Sequence, residues 1–87
     1  MINVYVLLSE KFNRTYTGTT KDVEKKLKQH NSKYNKSTKP YVPWVLIYSE
    51  PFNTGVEART REKYLKSGIG REFIKSIINN WPRSSTE

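Results

Sequence analysis

The sequence predicts a small α+β domain: a three-stranded antiparallel sheet, built from a hairpin and one central strand, flanked by about three helices in the order β-β-α-β-α-α. Three observations lead there. Residues 2–9 alternate with the period of two that marks a strand, and Phe73–Trp81 repeats with the period of a helix. Between the periodic stretches lie runs rich in Pro, Gly, Asn and Ser, the residues at which chains turn. At 87 residues there is room for one modest core.

In the first strand Ile2, Val4, Val6 and Leu8 face the core, and Asn3, Tyr5, Leu7 and Ser9 face the other way. Glu10 to Asn13 supplies the turn, and Arg14 to Thr19, rich in Thr and Tyr, reads as the returning strand. With an even, bulge-free loop, the odd spacing of Tyr5 and Tyr16 puts both phenols on one face, the half-polar one. Thr19 or Thr20 then caps a helix running to about Asn31, with Asp22 and Glu24 where negative charge suits the helix dipole. Its inward stripe is Val23, Leu27 and His30; Lys26 lies at the edge beside His30, and Lys25 and Lys28 point outward.

Residues 31–43 form a polar, basic loop with Tyr34, Tyr41 and two prolines, too polar to be buried. Trp44 to Tyr48 reads as a strand covered on both faces, hence central. A helix from about Val56 to Lys66 carries Ala58, Glu62 and Leu65 on one stripe with Arg61 at its flank, so that a carboxylate stands where an apolar residue is expected. Ser67 to Gly70 breaks the chain, and Phe73, Ile74, Ile77, Ile78 and Trp81 give a last, structural helix. The domain is expected to span residues 1–81, with 82–87 a mobile tail.

Sixteen Lys and Arg against eight Asp and Glu give a net charge of +8, which favours a polyanionic partner. Nucleic acid ranks first. A membrane surface ranks well below it, because the basic residues are spread over several elements and the apolar opening is too short to span a bilayer. An intracellular protein is expected. The lack of cysteine excludes disulfides, thiolate metal sites and cysteine nucleophiles, and a single histidine excludes a multi-histidine metal cage.

Tyr5, Tyr16, Lys26, His30 and Glu62 together suit phosphodiester hydrolysis. A lone carboxylate is enough to hold Mg²⁺, which takes its remaining ligands from phosphate and water. A phenol or imidazole can accept the proton of an attacking water, and a cation can stabilise charge growing on the phosphoryl oxygens. Each residue also has a plainer reading: tyrosines are common in strands, a lysine on a basic helix is usually solvated, a histidine is more often packed than catalytic. Glu62 could simply pair with Arg59, Lys66 or a more distant residue.

Asn3-Val4-Tyr5 and Tyr16-Thr17-Gly18, followed by a helix, resemble the paired motifs of the GIY-YIG nuclease family. The stretches KSTKPYVPWVLIYSE and EARTREKYLKSGIGREF are similar to the short stand-alone bacterial members, related to the nuclease domain of the UvrC repair subunit; the likeness covers about residues 2–78. The resemblance implies DNA cleavage with one Mg²⁺ or Mn²⁺ ion, Glu62 as metal ligand, Tyr5 and Tyr16 as the motif tyrosines and His30 as a histidine found in part of the family. It also implies an arginine where this chain has Lys26, and lysine keeps the charge without the planar two-pronged donor. A loss of the order of 10²–10³ in rate follows if nothing compensates, with Arg61 and Arg14 the nearby arginines. Three functions compete. The first is a metal-dependent endonuclease, of repair or structure-specific type, with a homodimer or protein partner supplying specificity. The second is a binding module of the same fold that grips nucleic acid, DNA before RNA, through Lys33, Lys36 and Lys39 and stacks bases on Tyr34 or Tyr41. The third is a basic protein-interaction domain.

Overall fold

In the computed structural model, which describes residues 1–32 and 36–81, the elements follow the predicted order. Strands β1 (Ile2–Ser9) and β2 (Arg14–Thr20) are joined by the four-residue turn 10–13, where Asn13 takes the left-handed conformation (φ 53°) that Asn tolerates better than most residues. Helix α1 (Val23–Asn31), strand β3 (Val45–Phe52), and helices α2 (Gly55–Lys66) and α3 (Gly68–Asn79) complete the α+β fold. Lys39–Tyr41 forms a short 3-10 turn. The predicted tail, 82–87, lies outside the described residues.

The sheet is antiparallel throughout, in the order β2-β1-β3. The central strand is therefore β1, not the strand after Trp44. Val4 to Ser9 are all buried, whereas β3 is an edge strand whose Val45, Leu46 and Tyr48 are only half-buried. Pro51 fits that placement, since a residue without an N–H is tolerated at an edge. A register shift between Val6 and Leu7 places Ile47 as an extra residue in β3.

Each face of β1 has its own core, where the length had suggested one. Val4, Val6 and Leu8 pack with Ile47, Ala58, Leu65 and Ile74, burying the α2 and α3 stripes. Tyr5 and Leu7 pack with Trp44 on the other face, under Val23 and Leu27 of α1. What reads as a half-polar face is thus closed over by α1.

Two caps differ from expectation. Asp22, not Thr19 or Thr20, caps α1, its carboxylate accepting from the Lys25 N–H at 3.1 Å, because β2 runs on through Thr20. The predicted break at 67–70 narrows to Ser67 alone, which ends α2 and caps α3 by accepting from the Gly70 N–H at 3.3 Å.

Candidate active site

Tyr5 sits at the middle of the central strand, directly opposite Gly18 on β2. A Cβ on Gly18 would lie 2.9 Å from the Tyr5 phenol oxygen and 3.1 Å from Tyr16 Cε1. Glycine here is a space requirement: its missing side chain leaves room for both phenols at the sheet edge. Tyr16 pairs with Leu7, so Tyr5 and Tyr16 do share a face, with ring centroids 6.2 Å apart.

His30, from the last turn of α1, closes the group, its ring 4.7 Å from that of Tyr16 and 6.2 Å from that of Tyr5. Its Nε2 lies 3.1 Å from the Tyr5 hydroxyl and its Nδ1 lies 2.8 Å from the Thr38 hydroxyl. Tyr5, His30 and Thr38 are all at most 2% exposed. A buried polar atom left unpaired would cost about 1–3 kcal/mol, so this pairing is what makes the burial tolerable. Thr38 is in turn held by its carbonyl, which accepts from Trp44 Nε1 at 3.0 Å, and Asn31 ties the end of α1 to the Trp44 backbone.

Burial raises the Tyr5 phenol well above its ordinary range, with the charges of Tyr16 and Glu62 adding to the effect. Burial likewise lowers the His30 imidazole, helped by the nearby Lys26 ammonium. At neutral pH the pair is therefore a protonated phenol beside a neutral imidazole. A neutral ring carries one N–H, so one of the two hydroxyls donates to it and the other accepts from it.

A stability consequence follows with a definite sign. The unfolded chain protonates His30 below about pH 6.5, while the folded chain resists it, so stability falls as pH drops through that region. Thermal melts of the protein between about pH 7.5 and 5 should show this decline, and His30→Asn should flatten it. An equal slope in both proteins would mean the buried imidazole titrates freely.

Glu62 is half-buried on α2 and bonds Lys66 Nζ at 2.9 Å through Oε2. Lys66 is thus the partner among those the sequence allowed. Oε1 has no hydrogen bond among the described residues. Its charge acts on the Tyr5 phenol, although α2 packs on the other face of the sheet. Lys26 is half-buried on α1, in a hollow with Thr20, Lys21, Asp22, Lys25 and Gln29. The two nearby arginines are engaged elsewhere. Arg61 binds Glu50 at 3.2 Å and reaches Tyr48 on β3, the opposite edge, and Arg14 stacks 4.5 Å over the Tyr41 ring.

Among the described residues no group of three His, Cys, Asp or Glu side chains could hold a metal. The oxygen donors of the cluster are the Glu62 carboxylate and the two phenols, while both ring nitrogens of its one imidazole, His30, are already taken by the Tyr5 and Thr38 hydroxyls. That set fits Mg²⁺ or Mn²⁺ with phosphate and water completing the shell, and does not fit a soft or imidazole-seeking ion.

Of the expected nucleic-acid contacts, Lys36 and Lys39 are exposed, whereas Lys33 and Tyr34 lie outside the described residues. Tyr41 is half-buried against Trp44 and Phe12 and covered by Arg14, so it is no free stacking platform. Sequence reasoning missed Thr38, set in a loop judged too polar to bury; the signal was the adjacent Trp44, whose indole N–H must find an acceptor.

A family model described as the GIY-YIG catalytic domain matches residues 1–72. The chain belongs to the GIY-YIG family. Its relatives include a UPF0213 protein of Staphylococcus haemolyticus, 40% identical over 68 residues, covering 77% of this chain and 83% of that one. A UPF0213 protein of Clostridium perfringens is 38% identical over 77 residues, covering 87% of this chain and 83% of that one. No solved structure matches. GIY-YIG membership makes this an endonuclease-like domain with nucleic acid as its substrate class. Among the described residues no helix is long and apolar enough to cross a membrane.

Proposed function

We propose that this GIY-YIG domain is a metal-dependent endonuclease hydrolysing phosphodiester bonds of DNA, in a cytoplasmic repair or structure-specific role. The observation that carries the reading is the meeting of Tyr5, Tyr16 and His30 around Gly18, within reach of the Glu62 charge.

Tyr5 orients the attacking water. A raised phenol is a poor base by itself, and His30 Nε2, neutral and 3.1 Å away, offers a place for a proton passed through the hydroxyl. Thr38 fixes the imidazole for that role through Nδ1. Lys26, at the edge of α1, offsets negative charge on the phosphoryl oxygens. Glu62 would hold the Mg²⁺ or Mn²⁺ ion, which polarises the phosphate and steadies the leaving oxygen. Lys66 must then share or release the Glu62 carboxylate.

The test is nicking of supercoiled and branched DNA with Mg²⁺ or Mn²⁺. Lys26→Arg should raise the rate, by up to about 10²-fold, because it restores a planar donor worth roughly 10²–10³ at such a position. The second reading, a nucleic-acid-binding domain with weakened chemistry, is favoured by one observation: neither Arg61 nor Arg14 is free to replace the missing guanidinium. Binding without cleavage, in both the native chain and Lys26→Arg, would decide for it.

A further inference from the structure

The trough between the outer edge of β2 and helix α3 lies outside the residues assigned above. It is lined by Asn13, Thr15, Arg71, Ile74, Lys75 and Ile78 and has a volume of about 520 Å³. A second hollow of about 260 Å³ shares Thr15, Arg71 and Ile74 and leads on to Lys66 and Tyr16. The two form one path from the hairpin turn to the candidate active site.

We infer that this trough binds the phosphodiester backbone of the nucleic-acid strand flanking the cleavage point, an inference that rests on the function proposed above. Arg71, Lys75 and Lys66 line the path, and the carboxylates paired with two of them, Glu62 with Lys66 and Glu72 with Lys75, are not part of its lining. Arg71 is exposed and has no ion-pair partner among the described residues. Lys75 lies 3.9 Å from Glu72, but both side chains are at least 70% exposed, and such pairs hold a lysine weakly. Phosphate oxygens also accept hydrogen bonds from hydroxyl and amide side chains, which Thr15 and Asn13 supply. Among the described residues β2 pairs with β1 alone, which leaves its outer edge without a strand partner.

From Asn13 to Tyr16 the strand advances about 10 Å at ~3.3 Å per residue, long enough for the trough to follow a backbone past more than one phosphate. The rival occupant is a strand from a second copy of this chain, and it would bring +8 against +8 at close range.

The experiment measures binding of the full chain to a labelled DNA duplex and to a labelled single strand, by anisotropy in EDTA from 50 to 200 mM salt. Each phosphate contact contributes about 0.9 to the log–log salt slope for duplex and about 0.7 for single strands. Arg71→Ala/Lys75→Ala should therefore lower the slope by about 1.8 or 1.4, respectively. The control Lys28→Ala/Lys63→Ala removes equal charge from exposed sites on α1 and α2 and should lower it by less than half as much. Equal losses in the two double variants, or an unchanged slope in the first, would overturn the trough while leaving the proposed function standing. Absence of salt-sensitive binding by the native chain would overturn both. Melting curves matching the native chain exclude a folding defect in either variant.

Discussion

Glu62→Gln should reduce cleavage about 10³-fold or more at saturating Mg²⁺, while lowering thermal stability by no more than about 0.5 kcal/mol. The substitution is nearly isosteric and removes only the charge. As a metal ligand, Glu62 supports an ion that stabilises transition-state charge by several kcal/mol, and each ~1.36 kcal/mol is tenfold in rate. As a mere ion-pair partner, it is worth far less. Lys66 is 57% exposed and the pair is spaced i,i+4 on one helix, an arrangement that contributes about 0.3–0.5 kcal/mol. The two roles thus predict different rates at the same small change in melting temperature, because the ion pair is lost in either case. Nicking rates titrated with Mg²⁺, beside melts of both proteins, separate them. A rate within twofold of native would leave Glu62 as a surface ion pair and remove the metal ligand from the mechanism.

The hairpin was legible because it depends only on local periodicity. Side chains alternate with period two, the turn is four residues long, and the face shared by Tyr5 and Tyr16 follows without knowing the rest of the fold. Glu62 stood out for a similar reason: helical period placed it between Ala58 and Leu65, both buried. The errors came where tertiary partners decide. β1 carries Asn3 and Ser9 in the same phase as Tyr5 and Leu7, which disguised a doubly buried strand as a one-faced one. Trp44 and its neighbours read as central for the opposite reason, an apolar run that in the protein sits at an edge and packs partly on α1 and partly on α2.

Thr38 shows the limit most plainly. In sequence it is a threonine among lysines and prolines, and nothing local buries it. It becomes buried because His30, arriving from α1, presents a ring nitrogen that needs a partner, and because the Trp44 indole needs its carbonyl. Arg61 is the converse case. It stands one residue from Glu62, yet helical geometry turns it some 100° away, toward Glu50 and Tyr48. Adjacency in sequence is a poor guide to which charges meet on a helix.

Gly70→Ala should destabilise the fold by about 3 kcal/mol or more, although helix propensity alone predicts a gain. Gly70 lies in the first turn of α3, where Ala is favoured over Gly by up to about 1 kcal/mol. Space decides against it. A Cβ there would stand 2.0 Å from the Tyr64 carbonyl oxygen and 2.4 Å from Leu65 Cα, and both are backbone atoms that no rotamer change can move. Relief requires α3 to shift away from the end of α2, opening the contact that buries Leu65 and Ile74. Overpacking of that kind costs about 1–3 kcal/mol where side chains can yield, and here they cannot. For a domain of this size each kcal/mol is about 4–8 °C, so the melting temperature should fall by roughly 12–24 °C. Gly68→Ala is the matching control. It lies two residues earlier in the same turn, a Cβ there meets nothing within 4 Å, and it should leave stability unchanged or raise it slightly. If the two variants melt alike, the close approach of α3 to α2 does not set the position of either helix, and the placement of Glu62 on α2 must depend on its packing against the sheet alone.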